Sequence, residues 1–188
     1  MARLAGAGAQ AYPAQLDAAV VRCRRPRNAG LPLRQSAPKG PRIVDDGFAH
    51  ESAAILEYLE DKKPEPRLFS ADLRERATQR RLIREADAYF APAMEHLLEA
   101  IAEKRSADAA ALRAEIARWE AAFTGDFLAG VLSAADFTLY PMTALLERVG
   151  QRNPQAMPAD LIPSRFAAWM ARMAAMDVVQ KTRPPHWK

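Results

Sequence analysis

Apolar side chains return every three or four residues from Leu82 to Ile101, through Ile83, Ala86, Tyr89, Phe90, Ala93, Met94, Leu97 and Leu98. A stripe that keeps the 3.6-residue period for so long describes an amphipathic helix and fits no strand. It makes helix-on-helix packing the expected architecture of the chain beyond residue 63. Pro92 falls inside the stripe and lacks a backbone donor, so the helix should kink there. Asp72-Leu73-Arg74-Glu75 supplies a start signal, with Asp72 as N-cap and Glu75 at the third helical position. A second helix is expected with Leu112, Ile116, Trp119 and Phe123 on one face. Both stripes read as core rather than as ligand contacts.

The remaining bounds narrow the function classes. A chain of 188 residues can build one sizeable core or two small domains. No apolar run reaches the roughly 18 residues that would span a membrane. A lone cysteine, Cys23, excludes an internal disulfide and fits a reducing compartment. His50, His96, His186 and Cys23 lie far apart, without the spacing of metal ligands. Neither a phosphate-binding P-loop nor a G-x-S-x-G nucleophile elbow is present.

Charge is uneven. Residues 1–42 hold Arg3, Arg22, Arg24, Arg25, Arg27, Arg34, Lys39 and Arg42 against Asp17, a net +7, and the rest is −3. A basic arm suits nucleic acid, or an Arg-rich transit peptide. No aromatic platform is interleaved with these arginines, which argues against a nucleic-acid surface. Ser36 is the only serine of the arm, which argues against a transit peptide.

Residues 41–60 carry the chemistry. Ile43-Val44 leads into Asp45-Asp46-Gly47, and Asp-Gly is a strong hairpin signal. Glu51-Ser52 then opens a helix with Ile55, Leu56 and Leu59 on one face. A helix N-terminus offers unpaired N–H groups and a partial positive charge to a carboxylate, and Glu51 beside it can hold an ammonium group. Together they suit the two charged ends of an amino acid. Ser52 is equally able to serve as a plain N-cap.

This stretch resembles the end of the glutathione-binding domain of cytosolic glutathione transferases. That domain is thioredoxin-like and closes with a cis-proline, a hairpin and a Glu-Ser or Gln-Ser pair. The resemblance places Pro41 at the proline and Glu51 and Ser52 at the pair that holds the γ-glutamyl end of glutathione. Ala37-Pro38-Lys39-Gly40 resembles the turn before the proline, so Gly40 joins the glutathione-binding set. Further on, Leu132-Ser133-Ala134-Ala135-Asp136-Phe137 combines a capping box, Ser133 with Asp136, and a hydrophobic staple, Leu132 with Phe137. The family carries such a box at the start of a central helix of its second domain, where it is a folding device and no catalyst. Phe166, Trp169, Met170 and Met173 form an amphipathic helix after Pro163, and Asp177-Val178-Val179-Gln180 a further helical turn. The resemblance spans about residues 37–188 and includes the bacterial members' tail pattern in Thr182-Arg183-Pro184-Pro185-His186-Trp187-Lys188.

Residues 1–36 match less well. The family begins with strand, helix, second strand and a further short helix, and 40 residues precede Pro41 here. No opening strand is legible, because Ala2-Arg3-Leu4-Ala5-Gly6-Ala7 lacks β-branched and aromatic residues. A helix over about 14–25, with Pro13 at its first position, would put Leu16, Ala19, Val20 and Cys23 on one face. Cys23 reads as a small core residue. Two origins fit this segment: loss of the first strand–helix unit through a frameshift or alternative start, which the Ala/Arg/Pro-rich composition favours, or a divergent form of the domain. The family activates the glutathione thiol with a Tyr, Ser or Cys at the start of its first helix. A free thiol titrates near pH 8.5, and each unit of lowering takes about 1.4 kcal/mol. Tyr12 is the candidate by position, beside the alternative of a surface tyrosine.

The expected fold class is therefore α+β to mainly α. An incomplete thioredoxin-like domain would cover residues 1–62, a linker 63–71, and an all-helical glutathione transferase C-terminal domain 72–188. The resemblance implies conjugation or thiol transfer of glutathione to a small electrophile, with glutathione as co-substrate and no other cofactor or metal, in a cytoplasmic homodimer. Tyr89 and Met94 are candidates for lining the electrophile pocket. A non-catalytic interaction or regulatory module of the same fold is the alternative.

Overall fold

The computed structural model describes residues 44–45, 48–49, 52–106 and 108–187. The chain divides into two compact units, Met1–Asp61 and Lys62–Lys188.

In the first unit, β1 (Val44–Asp45) pairs antiparallel with β2 (Phe48–Ala49), Val44 opposite Ala49 and Asp45 opposite Phe48. The antiparallel pairing agrees with the Asp-Gly hairpin signal. Helix α1 (Ser52–Lys62) follows, with Ile55 buried and Leu56 and Leu59 half-buried. Lys62 stands in its last turn, where a cation complements the helix dipole.

Among its described residues the second unit is mainly helical, with two isolated β-bridges, Phe127 to Gly130 and Ala129 to Val131, in the loop before the helix that begins at Ala134. Helix α2 (Leu73–Glu85) runs through a π-helical turn (Ala86–Phe90) into α3 (Ala91–Ala102). Then come α4 (Ala110–Ala122), α5 (Ala134–Arg152), α6 (Ser164–Ala174), α7 (Asp177–Thr182) and a 3₁₀ turn at Pro185–Trp187. Helix α5 is the pivot: α2, α3 and α6 pack on it, α4 packs on α3 and α6, and α7 packs on α6. Its inward face is Ala134, Ala135, Asp136, Leu139, Tyr140, Thr143 and Leu146. The small residues of the first turn let neighbouring chains close in.

An aromatic cluster closes the α4–α5–α6 corner. Trp169 meets Phe166, Phe123 and Tyr140 edge-on, at centroid distances of 5.2, 5.8 and 6.2 Å. Edge-to-face rings add roughly 0.5–1.5 kcal/mol per pair beyond their buried area. The α4 stripe is core as expected, with Leu112, Ile116, Trp119 and Phe123 all buried. So is the α6 stripe of Phe166, Trp169, Met170 and Met173.

Three local expectations change in detail. The distortion at Pro92 is a π turn just before the proline, in which the Ala91 amide donates to the Ala86 carbonyl five residues back. A proline ring collides with the carbonyl four residues earlier, and the wider turn relieves that crowding. The extra residue in this turn also rotates Tyr89 out of the stripe, leaving it 57% exposed, whereas Phe90 is fully buried. At the α2 start, Asp72 Oδ1 accepts from the Arg74 and Glu75 amides at 2.9 and 3.0 Å. Glu75 does not reach back to the Asp72 amide directly. It accepts from the Ser70 hydroxyl at 2.7 Å, and that hydroxyl oxygen accepts from the Asp72 amide at 3.1 Å.

The stretch between α1 and α2 has no regular element, yet it is tied down. Phe69 is buried. The Leu68 carbonyl accepts from the Ala134 amide at 3.0 Å, and the Ser70 amide donates to the buried Gln79 Oε1 at 2.8 Å.

Candidate functional site

Two helix starts carry a serine with an acid nearby. At the first, Ser52 is the opening residue of α1 and is exposed. The first amides of a helix have no intrahelical acceptor, so this end is able to donate to an oxyanion. Glu51, Pro41, Gly40 and Tyr12 lie outside the described residues, as does Cys23.

At the second, α5 begins with Ser133 as N-cap and a formed capping box to Asp136. Asp136 is fully buried. Its Oδ2 accepts from the Ser133 amide at 2.9 Å and from the Ser133 hydroxyl at 3.0 Å. Its Oδ1 accepts from the Leu128 amide at 3.0 Å and from the Trp169 indole Nε1–H at 2.9 Å. One carboxylate thus joins the α5 entrance, the loop before it and the middle of α6. Burial pushes its pKa up, and the donors from Leu128, Trp169 and Ser133 pull it back without cancelling the rise. Sequence reasoning found Ser133 and Asp136 but missed Leu128 and Trp169. The available signal was general: a buried Trp needs an acceptor and a buried Asp needs donors.

Neither proposed lining residue is part of a described cleft. Met94 is buried, and Tyr89 stands exposed beneath Arg118, whose guanidinium carbon lies 5.6 Å from its ring centroid. Arg118 also lies 5.2 Å over Trp119, and it bonds Glu115 at 2.7 Å and Glu85 at 2.9 Å. Glu85 accepts from Arg81 as well, at 2.7 Å. Burial by itself would raise the Glu85 pKa, but Arg118 and Arg81 outweigh it and hold this carboxyl below its usual range. This network fixes the π turn against α4. No group of three or more His, Cys, Asp or Glu side chains suited to a metal exists among the described residues. No helix among them is long and apolar enough to cross a membrane.

The architecture has clear counterparts among solved structures. A glutathione S-transferase from the Antarctic clam Laternula elliptica is 30% identical, with 78% of this chain and 69% of that one covered, at a TM-score of 0.65. Maleylpyruvate isomerase from Pseudomonas aeruginosa PAO1 is 26% identical over 79% of this chain and 84% of its own, at 0.61. Maleylacetoacetate isomerase from Anaeromyxobacter dehalogenans 2CP-1, solved with dicarboxyethyl glutathione and citrate in its active site, is 27% identical over 81% and 74%, at 0.58. No family model matches the sequence, and no curated protein does. The helical unit built on a buried Ser-x-x-Asp box is that of a glutathione S-transferase C-terminal domain. The chain belongs to the glutathione S-transferase family.

Proposed function

We propose that this protein binds glutathione through the α1 entrance and serves glutathione conjugation or thiol transfer to a small electrophile. The carrying observation is exposed Ser52 at the first position of α1, following the β1–β2 pair, in a chain of this family. In this reading Glu51 pairs with the α-ammonium of glutathione, and Ser52 and the first α1 amides hold its α-carboxylate. Pro41 and Gly40 shape the turn against the tripeptide backbone. The thiol loses its proton to solvent, the Tyr12 hydroxyl donates to the resulting thiolate, and sulfur attacks the electrophile as its leaving group departs. Residues 1–62, 63–71 and 72–188 are the glutathione-binding part, the connector and the helical domain of this scheme, and the compartment is the cytoplasm.

Turnover should be low. No opening strand is legible ahead of Tyr12, and a displacement of about 1 Å at a reacting group costs on the order of a hundredfold. A conjugation assay with a generic aromatic electrophile across pH tests this. The expected result is little or no turnover from a chain whose helical unit is folded by circular dichroism. Family-level turnover abolished in Tyr12→Phe would overturn the low-turnover reading while keeping Tyr12. Family-level turnover unchanged in Tyr12→Phe would assign thiol activation to another group.

Homodimerisation belongs to the same reading. Residues 73–85 carry five arginines against two glutamates, and residues 86–103 carry Asp87, Glu95, Glu99 and Glu103 with no Lys or Arg. Two such ridges packed antiparallel set each basic half on an acidic half. Sedimentation should therefore show a dimer that weakens with added salt.

A further inference from the structure

The stretch after α7, Arg183–Trp187, lies on the protein with none of its residues buried. Internally it is closed by the Trp187 amide, which donates to the Pro184 carbonyl at 2.9 Å. Among the described residues, Arg148 is the side chain that hydrogen-bonds it to α5. Arg148 donates from Nη1 to the Trp187 carbonyl at 2.8 Å and from Nη2 to the His186 carbonyl at 3.0 Å. The same guanidinium stacks over the Trp187 indole, with its carbon 5.4 Å from the ring centroid. His186 packs edge-on against Trp187 at 6.5 Å.

The planar fork of arginine is what makes this possible. It addresses two carbonyls at once while its face covers an aromatic ring, and a lysine ammonium has no such geometry. Pro184 and Pro185 restrict the backbone whether or not the segment is docked, so docking fixes few additional dihedral angles. Only Pro184 and Trp187 of the segment are even half-buried, so its detachment costs less than the roughly 5–15 kcal/mol of global unfolding.

We propose that residues 183–187 form a strap with one latch, Arg148, which opens and closes while α2–α6 stay folded. Opening frees the Arg148 guanidinium and the Pro-Pro-His-Trp segment together, and closing returns both to α5. The helical core does not take part in the exchange.

Amide hydrogen exchange read by NMR on the full chain tests this. In the wild type the Trp187 amide should exchange faster than the core amides of α5 and α6, at a rate insensitive to low urea. In Arg148→Ala it should exchange about tenfold faster or more, with the core amides unchanged. Arg148→Lys keeps the charge but loses the fork, and it should fall between the two. This second variant also decides the matter if Arg148→Ala fails to fold. A Trp187 amide whose rate climbs with urea in parallel with the core would overturn the proposal, since the segment would then belong to the global unit. So would a rate equal to wild type in either variant.

Discussion

The two helix entrances at which a serine has an acid close by in sequence begin from similar chemistry and end in opposite uses. At α5 the serine and the acid turn toward each other, and a loop amide and an indole complete the set, so every oxygen of Asp136 is occupied inside the core. At α1 the serine is the first helical residue and faces solvent. A polar cluster that satisfies itself in the interior is a folding device, because its donors have no better partner to turn to. A helix start left open has amides to offer a ligand. The difference lies in burial and not in residue type. It separates the residue that should govern stability from the residue that should govern binding.

The largest effect that tests this contrast is Asp136→Ala. Four donor groups of the core would lose their acceptor, and removing one partner of a buried, charge-assisted network costs about 3–5 kcal/mol. The melting temperature should fall steeply in a thermal scan. Abolished glutathione binding at an unchanged melting temperature would reverse the assignment. Next comes Trp169→Phe, which removes one donor to Asp136 and part of a packed ring, for about 1–3 kcal/mol by urea unfolding. A neutral result would show that the α6 link is incidental.

The pH dependence sharpens the contrast between Asp136 and Glu85, a carboxylate bonded by two arginines. Asp136 has a raised pKa, so the pH-dependent part of its contribution to stability is fullest at low pH and declines as pH rises through the folded-state value. The stability gap between wild type and Asp136→Ala should widen on acidification. Glu85 has a lowered pKa, so its contribution is present above the ordinary value of 4.5 and disappears as pH falls through the folded-state value. Glu85→Gln should therefore cost about 0.5–1 kcal/mol near neutral pH, since Arg81 and Arg118 are both partly exposed. That cost should shrink in acid. Gaps that move in the same direction would contradict the physical account of one of the two groups.

Local signals in the sequence carried much of this. The 3.6-residue stripes in α4 and α6 marked the core side chains, because a buried helix face must repeat with the helix. The Ser133–Asp136 box was legible because its two partners are three residues apart. The Asp136 bond to Trp169 was not, since it joins residues 33 apart that only the α5–α6 packing brings together. Tyr89 misled for a different reason. The π turn adds a residue to the helical count, so a regular period drawn through it points the wrong side chain inward. Glu75 likewise found Ser70 instead of the Asp72 amide, because the hydroxyl lay between them. For the α1 entrance, the presence of a hairpin and the start of a helix at Ser52 were legible, while the roles of Glu51, Pro41, Gly40 and Tyr12 are proposals drawn from the family.

The most direct test of that entrance is calorimetric titration of glutathione into the wild type and Ser52→Ala, with melting temperatures taken on the same samples. The account predicts measurable binding to the wild type. It also predicts an affinity lower by about 1–3 kcal/mol in Ser52→Ala, the worth of a charge-assisted hydrogen bond, at a melting temperature close to that of the wild type. An unchanged affinity in Ser52→Ala would contradict it.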